Sequence, residues 1–262
     1  MAEYKGILDS SILIPLAAKI YVTKYFPAYF RDPYALMLET KIPYESIIQK
    51  VSQFTLLSCV ARYHSIDRIV RDFISQHDEC NIVNIGCGLE SMSRRIPLPD
   101  FVDVNYYEVD LPNVIRRRKD IMGDSKSEMT IACDLFDLTW TDNLNDRTPT
   151  LIVASDVFQD YTKDEIISFI SNVSWCFYYG ELVFDTLDTR NWTGREGKEN
   201  PFLKSVMKDP FLFARSCGAT LLSSSGLFYD MEQMLGDYLS LQTKAAIKLA
   251  KAKKASLLHL KF

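Results

Sequence analysis

From Asn81 onward, short apolar runs alternate with stretches of helical periodicity, and this alternation narrows the possible folds more than any other feature of the chain. The sequence predicts strands at 82–85, 106–109, 129–132, 151–154 and 182–184, with helices between them at 91–95, 112–122 and 163–177. Crossover helices bury both faces of a parallel sheet, so its strands read as continuous apolar runs rather than as polar alternation. Further on come a helix at 210–217, a strand at 219–222, a helix from Met231 to about Lys251 and a final strand at 256–261. The fold class expected is therefore α/β: a seven-stranded, mostly parallel sheet with helices on both faces.

Before residue 80 the texture is helical. Leu56, Leu57, Val60, Tyr63, Ile66, Ile69, Val70, Phe73 and Ile74 recur at three- and four-residue steps. Asp32-Pro33 has the form of a helix start, with the acid as cap and proline in the first turn. The apolar stretch 12–18 is too short for a signal peptide and continues with helical spacing, which predicts an amphipathic helix. Residues 1–78 are thus expected to form a helical segment within the same domain as a core at 79–262. The polar stretch at about 186–205 is expected to be a lid-like insertion.

Composition excludes several partners. The 262 residues carry 34 acids against 30 bases, a net charge of −4, which disfavours nonspecific binding to nucleic acid or anionic membrane and suits a small-molecule substrate. No apolar run approaches the ~20 residues of a spanning helix. The six cysteines and three histidines are scattered without metal-ligand spacing, so neither a metal site nor a disulfide framework is expected, and a reducing cytoplasmic compartment fits. Lys244, Lys248, Lys251, Lys253 and Lys254, interleaved with Ile247, Leu249 and Ala250, predict one solvated helix face.

The segment Asn81-Ile82-Val83-Asn84-Ile85-Gly86-Cys87-Gly88 is an apolar strand that runs directly into a Gly-x-Gly turn. In open α/β sheets ligands lie beyond the carboxyl ends of the strands, where glycine lets the backbone approach them. Asp110 follows Gly86 by 24 residues, at the end of the next strand, where a carboxylate accepts hydrogen bonds from ribose hydroxyls. The third glycine that would bring a helix up to a pyrophosphate is missing. S-adenosylmethionine has no pyrophosphate; its amino-acid end needs a cation and an acidic or carbonyl partner, for which Arg62 and Asp156 are the candidates.

These residues carry a resemblance. Ala61-Arg62-Tyr63, Asn84-Ile85-Gly86-Cys87-Gly88-Leu89-Glu90, Tyr107-Glu108-Val109-Asp110-Leu111-Pro112, Cys133-Asp134-Leu135-Phe136-Asp137-Leu138 and Asp32-Pro33-Tyr34-Ala35 together resemble the leucine carboxyl methyltransferase-like family, which includes polyketide-synthesis O-methyltransferases. The resemblance implies a class I S-adenosylmethionine-dependent methyltransferase. Arg62 would then bind the methionine carboxylate, Gly86, Cys87 and Gly88 would lie against the cofactor, Asp110 would take the ribose, and Asp134 with Leu135 would hold the adenine. Where the family usually has a glutamate this chain has Ser155, and Asp156 can replace it only if the backbone has already left the strand. The family tyrosine shortly afterwards is likewise displaced, with Asp160 in its place and Tyr161 next to it.

Methyl transfer from a sulfonium is an in-line displacement, so positioning in a dry pocket supplies much of the catalysis. A carboxylate acceptor needs no general base; for a hydroxyl acceptor Asp156, Asp160, Tyr161 and Asp188 are candidates, and none is assigned. Tyr161, with Arg190 and Trp192 of the lid, is expected to contact substrate. A catalytically silent binding protein with this fold, a nicotinamide-dependent oxidoreductase and a methyltransferase acting on a protein carboxyl terminus are the competing readings.

Overall fold

The computed structural model describes residues 2–187 and 209–262, with side chains from Ile12 onward except that of Asp160. Four helices precede the first strand: α1 (Ala2–Tyr25), α2 (Pro33–Met37), α3 (Tyr44–Lys50) and α4 (Gln53–Ile74). Then follow β1 (Glu79–Ile85), α5 (Met92–Arg95), β2 (Asp103–Asp110), α6 (Pro112–Met122), β3 (Met129–Ala132), β4 (Thr150–Ala154), α7 (Lys163–Ser174) and β5 (Gly180–Asp185). The expected lid-like insertion at about 186–205 lies almost wholly outside the described residues; after residue 208 come α8 (Pro210–Ser216), β6 (Thr220–Gly226), α9 (Tyr229–Leu235), α10 (Leu241–Ala252) and β7 (Ser256–Lys261).

The seven strands form one sheet in the order β3-β2-β1-β4-β5-β7-β6, in which only β7 runs antiparallel to its neighbours. Period-two geometry divides the core between the two faces. Cys80, Ile82, Leu151, Val153 and Val183 pack with Val60, Val70, Phe73, Met231 and Ile247 of α4, α9 and α10. Val83, Ile85, Ile152, Ala154, Leu182 and Phe184 face the opposite way, onto Ile166, Phe169 and Ile170 of α7 and Phe213 of α8. A third cluster joins α1 to α2, α3 and α6 through Leu16, Ile20, Ala35, Tyr44 and Val114.

Local signals set the helix starts. Asp32 Oδ1 accepts the N–H of Ala35 at 2.8 Å ahead of Pro33, as the Asp-Pro pair predicted. Ser52 caps α4 through Thr55 N, and Thr162 with Glu165 forms a reciprocal capping box on α7. The predicted helix at 163–177 stops at Ser174, where Trp175 caps it.

Two expectations need correction. From Ile12 to Thr23, α1 is largely buried all round, so it is a central helix and not an amphipathic one. The predicted helix from Met231 to about Lys251 is two helices: α9 ends at Leu235, a 3-10 turn takes Gly236–Tyr238, and Ser240 caps α10 by accepting from Thr243 N at 3.1 Å. The five lysines of this region are exposed, as the reading of a solvated face required. The six cysteines carry free thiols.

Candidate functional site

At the carboxyl ends of β1 and β2 the backbone turns sharply. Gly86 has φ +63° and Gly88 φ +49°, a region that side chains with a Cβ disfavour. A Cβ on Gly86 would also stand 2.7 Å from Cγ2 of Val157. Asp110, the last residue of β2, locks the turn in place: its Oδ2 accepts Gly88 N at 2.8 Å and its Oδ1 accepts Leu111 N at 2.7 Å. Burial pushes this carboxyl above its ordinary pKa, against the pull of those two N–H groups. Gly86, Cys87, Gly88 and Asp110 open onto a cavity of about 240 Å³.

The next strand end supplies the acidic side of this cavity. β4 stops at Ala154, and Asp156 adopts φ +62°. The backbone has thus left the strand, and Ser155 and Asp156 both line the cavity. The unusual conformation of Asp156 is held from two sides: its N–H donates to Asp185 Oδ1 at 2.7 Å, and its Oδ1 accepts from Gln159 Nε2 at 2.7 Å. Among the described residues Ser155 Oγ finds no hydrogen-bond partner although it is buried.

Arg62 of α4 is 1 % exposed and stands off the cavity wall beside Asp156. Its Nη1 lies 3.3 Å from Asp156 Oδ1 and 3.8 Å from Asp185 Oδ2, while Nη2 reaches Cys59 Sγ at 3.7 Å. Burial opposes the charge on Arg62, but the two carboxylates more than offset it and hold its pKa above the ordinary guanidinium range. Asp185 is itself pushed up to about 6, chiefly by burial, with Arg62 pulling the other way. Nε and Nη1 of Arg62 complete no hydrogen bond among the described residues.

On the far side, Asp134 and Leu135 follow β3 and line the same cavity. Asp134 Oδ1 accepts Phe136 N at 2.9 Å, closing a local turn, and the Leu135 carbonyl accepts the indole N–H of the buried Trp140 at 3.1 Å, which ties this segment to the core. Tyr161 also lines the cavity, its ring centroid 4.9 Å from that of Phe136. The structure therefore brings together eight predicted wall residues, Gly86, Cys87, Gly88, Asp110, Asp134, Leu135, Ser155 and Asp156, together with Tyr161, and sets Arg62 behind them. Asp188, Arg190, Trp192 and the Asp160 side chain lie outside the described residues.

A family model, that of leucine carboxyl methyltransferase, matches residues 13–159. The chain belongs to the leucine carboxyl methyltransferase family. The tetracenomycin polyketide synthesis O-methyltransferase TcmP of Streptomyces glaucescens is 24% identical over 145 residues, covering 55% of this chain and 52% of that protein. Leucine carboxyl methyltransferase 1 of Rattus norvegicus is 23% identical, covering 40% of this chain and 41% of that protein. The chain thus spans about half the length of these curated relatives. In fold it is similar to a solved methyltransferase of unconfirmed activity from Thermobifida fusca YX, at 13% identity, 93% coverage of both chains and a TM-score of 0.54. The fold is that of class I S-adenosylmethionine-dependent methyltransferases, with the strand order and antiparallel β7 described above.

Apart from Ile12, the cavity walls that the sequence did not assign to the site lie within the segment that matches the leucine carboxyl methyltransferase family. Ile12 and Pro15 of α1, Tyr63 next to Arg62, Leu89, Leu111, Val114, Cys133 and Val157 all line the cavity. Several of these neighbour a predicted residue, so adjacency was an available signal. Ile12 and Pro15 had none, since a helix far away in sequence reaches the site only through packing. Among the described residues no group of His, Cys, Asp and Glu could hold a metal ion, and no helix is long and apolar enough to cross a membrane.

Proposed function

We propose that the chain is an S-adenosylmethionine-dependent O-methyltransferase that transfers a methyl group to a carboxyl or hydroxyl oxygen of a small molecule. The observation that carries this reading is the buried guanidinium of Arg62, which is ion-paired with Asp156 while its Nε and Nη1 complete no hydrogen bond among the described residues, behind a cavity whose walls include the glycine turn and Asp110. A nucleoside with an amino-acid tail fits such a set of groups. The names of both curated relatives point to methyl transfer, one of them to a carboxyl group and the other to oxygen.

When bound, the cofactor supplies an electrophilic methyl group on a sulfonium; the rest of the work falls to the protein. Nε and Nη1 of Arg62 have the donors a carboxylate would take, in a buried setting where charge-assisted hydrogen bonds are strong. Asp156, which lines the cavity, would meet the ammonium. Each oxygen of Asp110 accepts one backbone N–H and keeps a lone pair for a ribose hydroxyl. Gly86, Cys87 and Gly88 would lie against one side of the nucleoside, and Asp134 with Leu135 would frame the base. Tyr161, Arg190 and Trp192 are proposed to contact the acceptor. A carboxylate acceptor needs no general base, so positioning and exclusion of water suffice for it.

Calorimetric titration with S-adenosylmethionine and S-adenosylhomocysteine, with NADH as control, tests the cofactor, and a methyl-transfer screen over carboxylic acids and phenols tests the acceptor. Binding of both sulfur nucleosides with turnover on an oxygen acceptor is expected. Binding without turnover on any acceptor would favour a silent binding protein, and binding of NADH alone would sink the methyltransferase reading.

A further inference from the structure

Two buried cations outside the cavity hold the glycine turn from behind. Lys19 of α1 and Arg118 of α6 are each 1 % exposed, a rare state for such side chains. Lys19 Nζ donates to the Leu89 carbonyl at 3.0 Å. Arg118 Nη1 donates to the carbonyls of Gly88 at 3.2 Å and of Glu90 at 2.6 Å. Three successive carbonyls of the turn thus end on a buried positive charge, and the fourth, of Cys87, accepts Glu90 N at 2.9 Å. With Gly88 N on Asp110, the backbone around the second glycine is restrained in both its donors and its acceptors.

Acids behind these cations fix them in turn. Lys19 Nζ reaches Glu90 Oε2 at 3.2 Å, and Glu90 is shared with Arg95, which pairs in bidentate fashion with Asp67 at 2.8 Å and reaches Asp32 at 2.9 Å. Arg118 Nη2 donates to Glu128 Oε1 at 2.7 Å, and Glu128 also accepts Ser93 Oγ at 2.6 Å. Neither cation lines the cavity. A glycine turn left to itself samples many conformations, because glycine permits both signs of φ. Swinging any of these carbonyls toward the cavity would break a hydrogen bond to a buried charge.

We propose that Lys19 and Arg118 are positioning residues for the cofactor, holding the carbonyls of Gly88, Leu89 and Glu90 turned away so that the cavity is preformed. This rests on reading the cavity as the S-adenosylmethionine site. Arg118→Lys keeps the charge but gives up the planar fork that spans two carbonyls and Glu128, and Lys19→Met removes the donor to Leu89 at similar size.

Titration calorimetry with S-adenosylhomocysteine separates positioning from folding, because loss of folded protein lowers the stoichiometry while loss of preorganisation raises Kd. Each variant is expected to bind near the wild-type stoichiometry with Kd raised at least about tenfold, the scale of one lost charge-assisted hydrogen bond. Should either fail to fold, Glu128→Gln, which loosens Arg118 without removing it, is expected to raise Kd by a smaller factor. Unchanged Kd with lowered stoichiometry or melting temperature alone would overturn the positioning role while leaving the cofactor reading intact. Absence of binding by the wild type would overturn both.

Discussion

Oδ2 of Asp110 accepts the backbone N–H of Gly88 at 2.8 Å, which joins the end of the second strand to the glycine turn that ends the first. One carboxylate therefore shapes the turn and, in the proposed function, receives the ribose. Asp110→Asn swaps one acceptor oxygen for a donor, which opposes either the Gly88 or the Leu111 backbone N–H and leaves one oxygen fewer to accept from the ribose. Affinity for S-adenosylhomocysteine is expected to fall by about 1.5–3 kcal/mol, or roughly 10- to 100-fold. Calorimetric titration of a variant first shown to melt cooperatively checks this, and undiminished affinity would remove Asp110 from the site.

Arg62 separates two acids that would otherwise repel, so its replacement tests binding and stability together. Arg62→Met leaves Asp156 and Asp185 without their cation and is expected to destabilise the fold by about 3–5 kcal/mol. Arg62→Lys keeps the charge and loses the fork. It is expected to retain most of the stability, to weaken S-adenosylhomocysteine binding at least about tenfold, and to leave affinity for adenosine as it was. Urea melts and paired titrations measure both effects; equal loss for the two ligands would place Arg62 away from the amino-acid end.

At Gly86 backbone and packing act in the same direction. An alanine there meets a left-handed φ, worth about 1–2 kcal/mol, and overlap with Val157, worth about 1–3 kcal/mol more. Gly86→Ala is thus expected to lower stability by about 2–5 kcal/mol. The double variant with Val157→Ala should recover only the packing part. Chemical denaturation of the two proteins separates the contributions, and full recovery would show that the conformation of Gly86 is unimportant.

The turn and Asp110 were legible because each ends an apolar strand with a residue type that a strand interior does not favour. Arg62 was named as a candidate from the cofactor's need for a cation, and only the resemblance gave it a definite partner, since no spacing rule links a helix residue to strand ends formed later in the chain. The burial of Lys19 and Arg118 was not legible, because a charged residue on a helix is normally solvated and only the tertiary packing shows that these two are buried. The same holds for α1, whose burial on every side depends on α2, α3, α4 and α6 arriving around it. β6 was read only at 219–222, because Ser223 and Ser224 are exposed and Ser225 half-buried positions of an edge strand, held by pairing with β7 rather than by apolar packing. The break at Gly236 was masked by apolar residues that continue the helical spacing on either side of it.

The buried acid Glu108 gives the protein a distinctive pH dependence. It lies in β2 at 1 % exposure, accepts from Asn84 Nδ2 at 2.8 Å and stands 3.9 Å from Arg118. Burial pushes its pKa from 4.5 up to about 8, with Arg118 opposing the shift and Glu128 adding to it. A raised carboxyl pKa means that the folded state holds the proton more tightly than the unfolded chain. Its contribution is therefore fully present below pH 4.5 and is lost as pH rises toward 8, at about 1.4 kcal/mol per unit. Asp185, raised to about 6, acts in the same direction but is already half titrated at that pH, so it adds only about 0.4 kcal/mol above it, and Glu90, lowered to about 2, acts in the opposite direction at acid pH only. From about pH 6 to 8 the small Asp185 contribution is common to wild type and variant, so the difference between their curves isolates Glu108. Unfolding free energy is expected to fall across it by about 2–3 kcal/mol in the wild type and to stay nearly level in Glu108→Gln. Urea melts at half-unit steps measure the two curves, and parallel curves would mean that Glu108 is ionised at neutral pH and that Arg118 prevails over burial.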